Sequence, residues 1–166
     1  MKPIREVSGS LEWVQPRALD REWELRDTDG VVATLEWISS YQAQAKGRTD
    51  RTEWGFTLDG FLKPWITIER LDRDAPSCAF RGTPSFNGQL ELAENRVLSF
   101  DSNFWLTKWI WTNDEGTDLV RMSRNLSLKT EGIIEWDEEH STLEELPLIA
   151  ILGWYLIIHV TDIRPS

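Results

Sequence analysis

Leu148-Ile149-Ala150-Ile151-Leu152-Gly153-Trp154-Tyr155-Leu156-Ile157-Ile158 carries no polar face. A helix that is apolar all round lies either deep in a protein core or in a bilayer. Length separates the two. Residues 146–160 span ~22 Å as a helix, whereas a bilayer core is ~30 Å thick and calls for ~20 residues. Glu144 and Glu145 border the run on one side, and Arg164 is the only cation close to the other. The sequence therefore predicts a buried core helix over residues 142–160, with a tail anchor or interfacial helix as the alternative. Leu148, Ile151, Leu152, Trp154, Tyr155, Leu156 and Ile158 are its expected core residues. Ser141 and Glu144 have capping-box spacing. Acidic residues before the helix suit the positive end of its dipole, and Pro147 fits only a first helical turn. Gly153 weakens a helix by about 1 kcal/mol, so its presence predicts close approach of a neighbouring backbone.

Such a rod needs a wall around it. Turn signals recur at short spacing upstream: Asp29-Gly30, Asp59-Gly60, Asn87-Gly88, Asp101-Ser102-Asn103, Asp114-Glu115-Gly116 and Glu131-Gly132. They flank segments rich in β-branched and aromatic residues, the pattern of hairpins. Val31, Ala33, Leu35 and Trp37 alternate with Val32, Thr34, Glu36 and Ile38. Residues 104–111 read as the strongest strand, with Trp105, Trp109 and Trp111 on one face and Phe104, Leu106 and Ile110 on the other. About a dozen short strands result. A sheet this large hides its edges by closing. The expected fold is a mainly β, closed antiparallel barrel of about twelve strands around a central hydrophobic C-terminal helix. Residues 42–51, rich in Gly, Asp and Arg, read as a mobile loop. Trp23, Leu25, Asp27 and Gly30 are echoed by Trp109, Trp111, Asn113 and Gly116, which shared hairpin chemistry explains without duplication.

The chain of 166 residues is expected to be one domain, residues 1–166. Its formal net charge of -10 disfavours nucleic acid and anionic surfaces in general. The single cysteine, Cys78, suits a reducing compartment, and residues 1–15 have no signal-peptide pattern, so a cytoplasmic location is expected. Ten tryptophans read first as core packing and second as an aromatic ligand platform.

Chemistry is sparse. His140 and His159 accompany no nucleophile motif, and Cys78 reads as a buried, inert thiol. Two histidines and one cysteine lack zinc spacing, so no metal or other cofactor is implied. Asp27, Asp29, Gly30 and Glu36 imitate part of a calcium loop but sit in strand-forming sequence. Nothing singles out two carboxylates for glycoside hydrolysis. The chain is read as non-enzymatic.

The order of elements resembles the tubby C-terminal superfamily, which includes the LURP-one-related proteins and the phospholipid scramblases. The residues carrying the likeness are Trp23-Glu24-Leu25-Arg26-Asp27-Thr28-Asp29-Gly30, the segment 103–111 and the terminal run 146–158. The resemblance implies a barrel around a central helix, and a binding or scaffold role toward a lipid headgroup or a protein partner. Contact with a membrane would then be peripheral, without a transmembrane segment. Tubby domains use basic residues for phosphoinositides. Lys46, Arg48 and Arg51 are the nearest candidates here, diluted by Asp50 and Glu53. The alternative is a barrel that binds a small molecule or carbohydrate, with hydrolytic activity.

Overall fold

A computed structural model of the chain describes residues 1–7, 10–17, 20–60, 62–125 and 130–163, the last two by backbone only; Arg164 lies outside the described residues. Twelve strands form one closed barrel: β1 (Ser10–Val14), β2 (Glu22–Arg26), β3 (Val31–Ser39), β4 (Gln44–Arg48), β5 (Glu53–Asp59), β6 (Trp65–Arg70), β7 (Cys78–Gly82), β8 (Gly88–Glu91), β9 (Val97–Ser102), β10 (Lys108–Thr112), β11 (Asp118–Arg124) and β12 (Gly132–Glu135). Each pairs antiparallel with its sequence neighbours, and β1 closes on β12 with Leu11 opposite Ile134. Closure leaves no unpaired edge. Alternation sets the faces. Trp23 and Leu25 of β2 point inward, while Glu22, Glu24 and Arg26 face out. An apolar interior with a charged exterior is the inverse of a membrane-spanning barrel.

The helix α1 (Leu146–Ile163) fills the lumen. Its 18 residues extend ~27 Å. Trp154 stacks on Trp13 of β1 at 5.8 Å, and Tyr155 lies against Trp37 of β3 and Phe56 of β5. Leu148, Ile151, Leu152, Trp154, Tyr155, Leu156 and Ile158 are all buried. Gly153 meets the wall: a Cβ there would lie 2.5 Å from Met122 Sδ and 2.9 Å from Trp111 Nε1. Among the described residues, no helix is long and apolar enough to cross a membrane.

Four expectations need correction. The helix starts at Leu146, not at residue 142. The capping box does not form, because Ser141 closes the 3-10 turn Glu138–His140 and donates to the Glu138 carbonyl at 2.7 Å. Residues 104–111 are not one strand; β10 begins at Lys108, and residues 103–107 form a turn that leaves Phe104 and Trp105 exposed. Residues 42–51 are not a loop, since β4 occupies their middle. Ala45 and Gly47 point inward there, and a Cβ on Gly47 would stand 2.6 Å from Ile151 Cγ2. This wall strand has small inward residues because the helix presses on it.

In an up-and-down barrel the connections alternate between the two ends. The β8–β9 link lies at the end where α1 starts, and its Arg96 pairs with Glu145. The β7–β8 link lies at the other end, where its Phe86 stacks on His159 at 4.9 Å. The echoed motifs become equivalent turns at the starting end. Asp27 Oδ1 accepts from the Asp29 and Gly30 amides, and Asn113 Oδ1 accepts from those of Glu115 and Thr117.

Candidate interaction surface

The residues with catalytic chemistry are held apart. Burial pushes the Cys78 thiol up to about 11, so it stays protonated and poorly nucleophilic at neutral pH. His159 is enclosed by Phe86, Trp37 and Tyr155, and its Nε2 has no hydrogen-bond partner. Desolvation, aided by the Arg21 charge, lowers its pKa to about 4 and keeps it neutral. His140 lies at the opposite end beside Glu139, at 3.5 Å.

Asp137, Glu139 and His140 bring one ligand atom each within 4.8 Å of one another. These three are near neighbours in the chain and lack zinc spacing, so no sequence signal marks them. Two carboxylates and an imidazole suit a divalent cation in type. Asp137 is engaged by Arg121 at 3.2 Å, however, and the two carboxylates are exposed.

The predicted basic residues do not form one pocket. Lys46 and Arg48 share the outer face of β4 and converge on Glu53 at 3.2 and 3.3 Å. Their hydrogen bonds, led by that of Lys46, hold the Glu53 carboxyl below its usual range. Arg51 sits in the following turn, 3.7 Å from Asp50.

A cleft of about 860 Å³ opens at the starting end, lined by Trp54, Arg70, Arg73, Cys78, Arg96 and Glu145 among others. Its guanidiniums are largely occupied. Arg70 makes a two-pronged contact with Asp72 at 2.9 and 2.8 Å, and Arg96 holds Glu145.

The exposed apolar side chains gather at the other end. Tyr41 in the β3–β4 link is 74% exposed, Leu62 in the β5–β6 link 76%, and Phe104 and Trp105 in the β9–β10 link 86% and 71%. Ile38, Trp65 and Ile133 extend this surface onto the adjoining wall; among the described residues, Met1 and Leu71 are the large exposed apolar residues at the starting end. Three of the ten tryptophans, Trp37, Trp65 and Trp105, are not fully in the core. Arg81 stacks over Trp65 at 4.3 Å, which leaves Trp105 as the one presented outright.

The turn bearing Phe104 and Trp105 is stiff. Asn103 Oδ1 accepts from the Thr107 and Lys108 amides at 2.9 and 3.1 Å, and its Nδ2 donates to Thr107 Oγ1. Arg124 Nε donates to the Leu106 carbonyl at 2.8 Å, and Leu106 takes φ of 54°. With Leu106 packed on the core, its two aromatic neighbours have nowhere to go but outward. Below the turn, a groove of about 430 Å³ runs down the outer wall, with Ile110 and Ile133 beside Lys108 and Arg121.

Charge is divided in the same sense. At the starting end Asp27 and Asp29, Asp72 and Asp74, and Asp114 and Glu115 occupy the β2–β3, β6–β7 and β10–β11 links; Asp137, Glu138, Glu139, Glu144 and Glu145 precede the helix. Lys2, Arg5, Arg51, Arg73 and Arg96 offset only part of this. Among the described side chains at the exit end, Arg17, Arg21, Lys63, Lys108 and Arg124 balance Asp20, Glu22, Asp59, Asp101 and Glu131. Among the described residues, the acidic excess therefore lies at the starting end.

Comparison with family models, curated proteins and solved structures finds no match to this chain.

Proposed function

We propose that the protein is a non-enzymatic binding module of the tubby-like type, and that it binds through the rim at the helix exit. The observation behind this is the outward placement of Tyr41, Leu62, Phe104 and Trp105 at one end of a barrel whose lumen is filled. Clustered exposed aromatics mark interaction sites. A filled lumen directs ligands to the outside. The carbohydrate alternative has less support, because most of the tryptophans are committed to the core.

Site-specific photo-cross-linking in the producing cell tests the rim. A photoreactive residue at Phe104 or Leu62 should give discrete adducts, and one at Asp114 on the acidic end should not. Equal labelling at both ends, or none at the rim, overturns the proposal.

A further inference from the structure

We infer that the surface fitted by this rim is a lipid bilayer interface, met with the barrel upright and its acidic end turned to water. This rests on the rim reading above and names its partner.

The tips favour a plane. Tyr41, Leu62 and the Phe104–Trp105 pair belong to three separate links on one end of the barrel. They come from three different links, so no single loop carries the whole exposed apolar set. A flat apolar boundary can take them all at once. Tyr and Trp, with an apolar body and a polar edge, suit the headgroup boundary.

Rigidity lowers the cost of docking. Asn103 and Arg124 hold the Phe104–Trp105 turn in its projecting form before any partner arrives. Little conformational freedom is then lost on contact.

Charge sets the orientation. Lys63 and Lys108 stand at the rim without an ion pair among the described residues, placed for lipid phosphates. The carboxylates of the far end are repelled by the same surface. A basic protein would be drawn to that acidic end and not to the rim. A second copy of this chain also carries -10, which opposes pairing at low salt. No phosphoinositide pocket is involved, since the apolar tips supply the attachment and the lysines only steer it.

Flotation of the full chain with phosphatidylcholine vesicles, with and without a minor phosphatidylglycerol fraction, tests the assignment. The wild type should float with both, and brominated acyl chains should quench Trp105, a signal absent in Trp105→Phe. The double variant Phe104→Ser/Trp105→Ser should bind at least about tenfold more weakly, as expected for two exposed aromatics that become buried on docking. Asp114→Asn/Glu115→Gln should bind no more weakly than wild type. Both changes are at exposed turns, and matching thermal melts confirm that folding is intact. Absence of flotation, or flotation indifferent to the double variant, overturns the bilayer assignment. So does a concentration-dependent dimer abolished by that variant, which would give the rim to a second copy. If vesicles are ignored while protein adducts at Phe104 persist, the bilayer falls and the rim stands. If the rim gives no adducts either, both fall.

Discussion

The Tyr155 hydroxyl, deep in the barrel, donates to the Ala43 carbonyl at 2.9 Å. Ala43 and its neighbour Gln42 take φ of 47° and 52°. The bond ties the helix to a link that carries the exposed Tyr41. Burial raises the phenol's pKa, so the donor proton stays in place across working pH. Tyr155→Phe keeps the ring contacts with Trp37 and Phe56 but leaves the Ala43 carbonyl without this donor. The expected loss is about 1–3 kcal/mol, read from urea unfolding. A change within error would mean that the carbonyl finds water instead.

Gly153 opposes an intrinsic preference. Alanine is favoured over glycine inside a helix by about 1 kcal/mol. Here the added methyl would meet Met122 Sδ and Trp111 Nε1. The methionine can swing aside, but the indole is fixed by Phe80 and Phe100. Overpacking costs about 1–3 kcal/mol, so Gly153→Ala is expected to be net destabilising by about 1 kcal/mol and Gly153→Val by more. A variant with a higher urea midpoint than wild type would show that helix and wall do not touch there.

The helix and hairpins were legible because both rest on local physics: a run without polar residues, and turn residues between alternating strands. The misreadings share a different cause. β4 looks like a loop because its inward positions, Ala45 and Gly47, answer to Ile151, a residue about a hundred positions away. Residues 104–111 look like a strand because the even spacing of Trp105, Trp109 and Trp111 continues across the turn. Only the Asn103 side chain and the Leu106 backbone break it. The rim was not legible at all. Tyr41, Leu62 and Phe104 are scattered in sequence, and the antiparallel pairing of consecutive strands brings alternate links to one end.

Arg96 and Glu145 join the β8–β9 link to the start of the helix. Glu145 is buried and its Oε2 has no partner, whereas Arg96 is half exposed. Removing the arginine leaves an uncompensated carboxylate, while neutralising the glutamate does not. Arg96→Met should therefore cost about 1–3 kcal/mol, more than Glu145→Gln, with partial solvent exposure keeping the value below that of a fully buried pair. A double-mutant cycle measures the coupling. Equal losses in the two single variants would contradict this account.

His159 makes stability fall in acid. Its folded pKa of about 4 lies below the ordinary value of 6.5. Above 6.5 neither state binds the proton, and the stability is intact. Between 6.5 and about 4 the unfolded chain takes up a proton that the folded chain refuses, so stability drops as pH falls. Below about 4 this group adds no further loss. At ~1.4 kcal/mol per pH unit, the effect is about 3 kcal/mol. His159→Leu should remove that part of the pH dependence and, with the unpartnered Nε2 gone, cost little at neutral pH. Urea midpoints at pH 7 and pH 4.5 compare the two proteins, and identical pH slopes would rule the histidine out.

Deleting residues 147–166 tests the architecture itself. The wall strands turn Trp13, Trp37, Phe56, Trp111 and Met122 toward the helix, and each loses its partner when α1 is removed. A closed barrel cannot collapse inward as an open core does, because its strands are bonded in a ring. The void would then remain, which is the costly outcome of a core deletion. Gross burial from the aliphatic residues of α1 alone is on the order of 20 kcal/mol, against a typical net stability of about 5–15 kcal/mol. The truncated chain should therefore be insoluble, or retain far-UV circular dichroism while losing the near-UV signal and binding a hydrophobic dye. A soluble truncation that unfolds cooperatively would make the helix a detachable segment and remove the basis for a filled lumen. The rim side chains are not part of that core, so Phe104→Ser/Trp105→Ser in the full chain serves as the control and should unfold as wild type does.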